Sequence, residues 1–214
     1  LGIDLFLSFK ISVESHPCSL TCSESQISAL KLYNTSSVTY WRCDVSEDAP
    51  LSDRWTSASE IVRQVVTGTR SAVEVTTEAI ARIERLNPVY DAVTFFAPEE
   101  ALATARAIDR RRAQSGGTGA LAGVPTLMKD LYGYRPAWPT TLGGLPGARD
   151  DTAPDSVWSR YPDRINRSDG VLLGQTNSST FGFRGVTDNA LFGPSKNPFD
   201  PTRNPGGSSG GSAT

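Results

Sequence analysis

Histidine and cysteine are scarce in this sequence, and the few that occur lie near its N-terminal end. The only histidine is His16, and the three cysteines are Cys18, Cys22 and Cys43. The chain beyond them therefore cannot build a Ser-His-Asp triad or provide a thiol nucleophile. These four residues could be interpreted as a zinc site, but their spacing matches no familiar zinc module, and an odd cysteine count disfavours a disulfide framework. We predict no metal site.

Strong charge bias and long apolar runs are also missing. With 21 basic and 23 acidic residues, the formal net charge is -2, so the sequence offers no basic surface for nucleic acid. No apolar stretch approaches the roughly 18 residues that a membrane-spanning helix needs. Nucleic acid and membrane are therefore not predicted as partners, and the cytoplasm is the expected location.

The first 50 residues differ from the remainder in composition and in hydrophobic pattern. They are rich in serine and threonine, contain every cysteine and lack sustained hydrophobic periodicity. We predict that residues 1–50 are an irregular extension outside the folded core and that residues 51–214 form a partial domain. Because the chain begins with Leu1 and its only methionine is Met128, we expect a processed start or an incomplete sequence.

Helical and strand patterns alternate after this segment. Capping boxes at Ser57 and Ser71 each begin a helix, and Asn87-Pro88 is expected to stop the second helix. The predicted elements are helices over 57–66, 71–87, 98–112 and 155–165, and strands over 92–96, 123–130 and 170–177. Pro162 weakens the last helix. The alternation predicts the α/β class, with helices on the faces of a sheet.

Two glycine-rich stretches fail the patterns of nucleotide-binding loops. In residues 115–119 the third glycine of a dinucleotide fingerprint would fall at Ala122, and residues 206–212 contain no P-loop lysine. The second stretch holds four glycines and three serines, a composition that flexible linkers share with catalytic or anion-binding loops. The turn-rich lead-in at 197–205 favours a shaped loop.

A serine enzyme without histidine needs another base, and lysine is the known substitute. After residue 50 the chain has only Lys129 and Lys196. Lys129 ends an apolar run, where desolvation would lower its proton affinity and make it a base. It could equally be a strand-end residue that pairs with Asp130 at the surface. Both interpretations stay open at the level of the residues.

Three segments resemble motifs of the amidase signature family, and they follow one another in the same order as in the family: residues 123–130, 170–193 and 197–213. The resemblance runs from about residue 57 to residue 214. It implies a mixed sheet covered by helices, of which only the N-terminal portion is present. It also implies hydrolysis or transfer of a small-molecule amide by a Ser-Ser-Lys triad, with no cofactor.

The resemblance assigns roles to individual residues. Lys129 matches the lysine base and Ser208 matches the bridging serine, whose peptide bond with Gly207 is cis in the family. Lys129 would take a proton from Ser208, and Ser208 would relay one from the nucleophile, so that an acyl-enzyme forms and water or ammonia resolves it. Gly182, Gly207 and Ser209 are the candidates for shaping the loops around the substrate.

In the family the attacking serine lies roughly two dozen residues after the bridging serine, in a loop that also forms the oxyanion hole. We therefore expect the nucleophile to be absent from this chain and the 214 residues alone to be inactive. The alternatives are the amidase subunit of a tRNA-dependent amidotransferase, and a non-catalytic fragment or pseudoenzyme. The longer protein could form a homodimer.

Two segments depart from the family pattern or stand out by composition. Residues 164–169 are polar where the family has an alanine-rich turn, which puts the packing of that helix in question. Residues 132–139 are unusually aromatic, and we predict that they cover the sheet edge rather than line the substrate entrance.

Overall fold

The computed structural model describes residues 27–35, 38–45, 56–131, 133–148 and 159–214. The chain divides between residues 54 and 55 into two units. In the first unit, strands β1 (Ile27–Thr35) and β2 (Val38–Val45) pair antiparallel. His16, Cys18 and Cys22 lie outside the described residues, and so does most of the extension predicted for residues 1–50.

The second unit contains a three-stranded mixed sheet. Its strands are β3 (Val93–Phe96), β4 (Pro125–Lys129) and β5 (Val171–Thr176), in the order β3-β5-β4. The central strand β5 runs antiparallel to β3 and parallel to β4. All three strands fall within the apolar runs that predicted them, so the predicted α/β class and mixed sheet are confirmed.

Helices account for most of the remaining regular structure in the described part of the second unit. They are α1 (Ala58–Thr67), α2 (Ala72–Tyr90), α3 (Pro98–Ser115), α4 (Arg160–Arg167) and α5 (Gly210–Ala213), with a 3-10 turn at Thr180–Gly182. The Ser71 side chain and Glu74 form the full capping box that the sequence predicts for α2, whereas Ser57 caps α1 by accepting from the Glu60 N–H. None of the described helices is long and apolar enough to cross a membrane.

Helix α2 continues past the stop that the sequence predicts. It includes Pro88 and ends at Tyr90. A proline there removes only one hydrogen bond of the last turn, a smaller loss than in the middle of a helix. The Asn87 side chain closes the turn that follows, because its Oδ1 accepts from the Val93 N–H at 2.7 Å and its Nδ2 donates to the Val93 carbonyl at 2.9 Å. Asn87 therefore marks the join to β3 rather than the last helical residue.

The central strand β5 is buried along its whole length because both faces of the sheet are covered. On one face Val171 and Leu173 belong to a core cluster with residues of α2 and α3. On the other face Leu172 belongs to a second cluster with Met128 and Trp138. Adjacent residues of a strand point to opposite faces, so a continuous apolar run such as β5 is what a doubly covered strand requires.

Trp138 shows how the aromatic segment is used. Its indole is 1% exposed and lies in the cluster that also contains Met128 and Leu172, with the Phe95 ring centroid 5.0 Å away. Phe95, Met128 and Leu172 come from the three different strands, so Trp138 covers a sheet face. The predicted packing role is right for this residue, but its place on the sheet edge is wrong.

The polar helix α4 packs despite its composition. Pro162 lies in its first turn, where the missing N–H has no helical partner in any case, and Pro162 is buried. Ile165 packs against the cluster of Met128 and Trp138. The packing that the polar sequence put in question is therefore present, because two apolar residues, Pro162 and Ile165, hold the helix. Residues 149–158, where the sequence predicts the start of this helix, lie outside the described residues.

A carboxylate from α3 caps the start of α2. Asp109 Oδ1 accepts from the Ala72 N–H at 2.8 Å, and Oδ2 accepts from the Val73 N–H at 3.1 Å. Replacing Asp109 with alanine is expected to lower the free energy of unfolding by about 1–2 kcal/mol, because two helix N–H groups lose a charged acceptor near the positive end of the helix dipole. Urea denaturation followed by circular dichroism measures this change.

Asp163 on α4 provides the matched control for Asp109. Its carboxylate pairs with Arg167, whose side chain is 77% exposed, at 2.8 Å. An exposed pair four residues apart contributes only about 0.3–0.5 kcal/mol, so Asp163→Ala should change stability little. Equal effects of the two substitutions would contradict the capping role of Asp109.

Candidate active site

The structure brings Lys129 and Ser208 together from positions 79 residues apart in the chain. Lys129 is the last residue of β4, and its Nζ donates to Ser208 Oγ at 2.7 Å. Asp130 is 2% exposed and its carboxylate accepts from the Thr141 N–H at 3.1 Å and from the Thr141 hydroxyl. The interpretation in which Lys129 pairs with Asp130 at the surface is therefore wrong.

Burial alters the proton affinity of the lysine. Lys129 is half-buried, and desolvation lowers the pKa of its amine because the charged form loses water. None of the ion pairs among the described residues includes Lys129, so none of these pairs opposes the effect of burial. A larger share of the amine is then neutral at a given pH than for an exposed lysine.

Close packing explains two glycines near Ser208: Gly207, which precedes it in the chain, and Gly182, which lies near it in space. The Gly207–Ser208 peptide bond is cis, and a Cβ at Gly207 would lie 2.7 Å from the carbonyl carbon of Val186. Gly182 has a φ of 72°, and a Cβ there would lie 3.8 Å from Ser208 Oγ and 3.1 Å from the Leu131 side chain. Gly207 thus lets the loop dock on the neighbouring backbone, and Gly182 leaves space beside the hydroxyl.

Two residues that the sequence did not single out anchor this loop. Asn204 Oδ1 accepts from the Thr187 N–H at 3.1 Å and from the Gly206 N–H at 2.9 Å, while its Nδ2 donates to the Thr187 carbonyl at 2.7 Å. The Thr187 hydroxyl accepts from the Gly210 N–H at 2.7 Å. These bonds on both sides of Ser208 make the glycine-serine run a shaped loop. The asparagine in the turn-rich lead-in was the available signal.

The neighbouring serines have other surroundings. Ser209 is exposed, and its backbone carbonyl begins α5 by accepting from the Ala213 N–H at 3.1 Å. The Ser212 hydroxyl contacts the Thr176 hydroxyl at 2.7 Å, at the end of β5. Of the three serines in the loop, Ser208 is the one whose hydroxyl contacts the lysine.

An amine of lowered pKa in contact with a serine hydroxyl can hold and transfer a proton. When the amine is neutral, the same hydrogen bond can carry a proton from the hydroxyl to the nitrogen. The residues that the structure describes contain no group of three or more His, Cys, Asp or Glu side chains suited to a metal ion. Contact between a lysine amine and a serine hydroxyl is what lysine-assisted serine chemistry requires.

Comparisons with known proteins identify the family. The sequence profile of the family described as Amidase matches residues 74–214. A solved bacterial aryl acylamidase of the amidase signature family is 49% identical, with a TM-score of 0.71 over 73% of this chain and 32% of that chain. The chain belongs to the amidase family, and the resemblance drawn from its sequence is confirmed.

The curated relatives include an amidotransferase subunit and an amide hydrolase. A glutamyl-tRNA(Gln) amidotransferase subunit from Streptomyces coelicolor is 37% identical over 157 residues, which cover 73% of this chain and 31% of the relative. The indoleacetamide hydrolase of Bradyrhizobium diazoefficiens is 36% identical over 160 residues, which cover 74% of this chain and 29% of the relative. The chain spans about a third of the length of the relatives it matches.

Proposed function

We propose that Lys129 and Ser208 are the base and the proton relay of an amide hydrolase. The observation that carries the proposal is the 2.7 Å contact between the half-buried amine and the serine hydroxyl. Neutral Lys129 takes the Ser208 hydroxyl proton while Ser208 takes the proton of the attacking serine that the family resemblance implies. The attack expels the amine, which is protonated through the same pair by the proton that Lys129 had accepted, and water then hydrolyses the acyl-enzyme.

An aromatic amide is the substrate class that we favour. The aryl acylamidase is 49% identical to this chain and the Streptomyces coelicolor amidotransferase relative is 37% identical, and each match covers 73% of this chain. Phe181 and Phe183 flank Gly182, which lies beside Ser208 Oγ, and their ring centroids are 6.5 Å apart. Phe183 is 87% exposed, so the segment around Gly182 presents an apolar aromatic surface to solvent. Such a surface suits a planar apolar group.

The experiment joins residues 1–214 to the C-terminal part of the aryl acylamidase relative to give a fusion enzyme. We expect that part to add the attacking serine that the family resemblance implies. We expect the fusion enzyme to release aromatic amine from an anilide, and we expect the 214-residue chain alone to release none. The intact relative is the positive control. A fusion enzyme that folds, by circular dichroism, but releases no amine from any anilide would contradict the proposal.

The second candidate is one subunit of an amidotransferase. It is supported by the amidotransferase relatives, which share 36–38% identity with this chain in several bacteria. In this case ammonia would resolve the acyl-enzyme or be released for transfer, and the protein would need partner subunits. Hydrolysis of free glutamine, with no hydrolysis of anilides, would favour this candidate over the aryl amidase.

A further inference from the structure

A buried carboxylate lies beside the proposed base and is not used by it. Asp130 follows Lys129 in the chain, but its carboxylate accepts two hydrogen bonds from Thr141. Burial raises the pKa of Asp130, and the bonds from Thr141 act in the opposite direction. The Thr141 hydroxyl in turn accepts from the Gly144 N–H at 2.8 Å. The end of β4 therefore fixes the loop formed by residues 141–144.

That loop holds a second segment, the 3-10 turn at Thr180–Gly182. The Phe181 N–H donates to the Leu142 carbonyl at 2.9 Å, and the Thr180 hydroxyl donates to the Gly143 carbonyl at 2.9 Å. Both acceptors lie between Thr141 and Gly144, the two residues tied together by the Thr141 hydroxyl. The position of the turn therefore depends on the same hydroxyl.

The turn reaches the reactive serine. The Ser179 N–H, at the start of the turn, donates to the Ser208 carbonyl at 3.3 Å. Gly182, at its end, lies beside Ser208 Oγ. Hydrogen bonds thus lead from the residue after the lysine, through two loops, back to the serine that the lysine contacts.

We infer that Thr141 is a positioning residue that holds the Ser208 hydroxyl against the Lys129 amine. It acts by fixing residues 141–144 to Asp130 and, through them, the turn that packs on Ser208. The inference rests on the proposed function of Lys129 and Ser208. Thr141 itself contacts neither of the two in the structure's hydrogen bonds, so its effect is indirect.

The test follows the titration of Lys129 by NMR in the 214-residue protein, which is produced with lysine that is labelled with carbon-13 at Cε. The four lysines are Lys10, Lys31, Lys129 and Lys196, and the variant Lys129→Arg assigns the signal. Thr141→Val removes the hydroxyl without changing any charge. We expect it to raise the pKa of Lys129 by about 0.5 or more towards the ordinary value of about 10.4, because a loosened loop admits water to the amine.

Three further variants control this result. Thr141→Ser restores the hydroxyl and should return the wild-type titration. Thr180→Val breaks the next link and should raise the pKa of Lys129 as Thr141→Val does; it decides the question if Thr141→Val does not fold. Thr76→Val removes another fully buried threonine hydroxyl, on α2, and should leave Lys129 unchanged.

The outcomes separate the inference from the function beneath it. If wild-type Lys129 titrates below the ordinary value but folded Thr141→Val and Thr180→Val titrate as the wild type does, the positioning role is overturned and the proposed function stands. If wild-type Lys129 titrates at the ordinary value, the proposed function itself fails. An equal shift in Thr76→Val would also overturn the role, since any loss of a buried hydroxyl would then have the same effect.

Discussion

Replacing Lys129 with alanine lowers kcat/KM of the fusion enzyme for an anilide by about 10³-fold, if Lys129 is the base that we propose. The alanine variant leaves Ser208 without a group that can accept its proton, so the relay cannot activate the attacking serine. Binding of the substrate does not depend on the amine, and the loss should therefore appear in kcat with little change in KM. Initial rates of amine release measure both constants.

Two lysine variants sharpen this test. Lys129→Arg keeps the positive charge but cannot lose a proton at accessible pH, so it should be as inactive as the alanine variant. Lys196→Ala removes the other lysine that follows residue 50, whose Nζ pairs with Asp91 at 3.1 Å, and should leave the rate unchanged. Activity of Lys129→Ala within tenfold of the parent would rule out a base role for Lys129.

The pH dependence of kcat/KM is an independent test of the proposed role of Lys129. Because burial lowers the pKa of Lys129, the neutral amine forms below the ordinary lysine value. In the proposed mechanism the unprotonated amine is the reactive form, so kcat/KM should rise as pH rises through the pKa of Lys129 and then reach a plateau. A rate that falls across this range would show that the charged amine is the active form.

The largest loss of stability is expected from Trp138→Ala, at about 3–5 kcal/mol. The indole is 1% exposed, and alanine would leave a cavity beside Phe95, Met128 and Leu172, one residue from each strand of the sheet. The indole N–H also donates to Glu100 at 3.1 Å, so a polar contact to α3 is lost with the ring. Urea denaturation followed by far-ultraviolet circular dichroism measures the change in unfolding free energy.

A second variant at the same position separates volume from hydrogen bonding. Trp138→Phe keeps an aromatic ring in the cluster and loses the indole N–H, so we expect a smaller cost than for alanine. It also keeps a ring face below Arg135, whose guanidinium lies 4.3 Å from the indole centroid. A cost below about 1 kcal/mol for Trp138→Ala would mean that the cluster does not hold the sheet face.

Local sequence patterns predicted the strands and the longer helices of the second unit because their causes are local. The Ser71 capping box begins α2 as expected, and the continuous apolar run at 170–177 became a strand that is covered on both faces. The end of α2 was misjudged at Pro88, because the outcome depends on which turn of the helix the proline occupies. The turn of the helix in which the proline falls is fixed by the hydrogen bonds between Asn87 and Val93 of β3, and a local sequence pattern does not show these bonds.

The candidate site was predictable to a smaller extent. The absence of histidine pointed to lysine, but the residues alone did not decide whether Lys129 meets a serine or Asp130. The decision depends on Thr141, which takes the Asp130 carboxylate through a contact across a loop. The anchors of the serine loop, Thr187 and Asn204, are likewise 17 residues apart and show no common pattern in the sequence.

The two members of the proposed pair are held by different kinds of structure, and this difference bears on how such enzymes diversify. Lys129 is the last residue of a strand of the sheet. Its position is therefore set by the fold and changes only if the packing of the core changes. Ser208 and the turn at Thr180–Gly182 lie on loops that hydrogen bonds hold in place. Over evolutionary time, we expect new amide preferences to arise by exchange of loop residues such as Phe181 and Phe183, while the strand that carries the lysine is left intact.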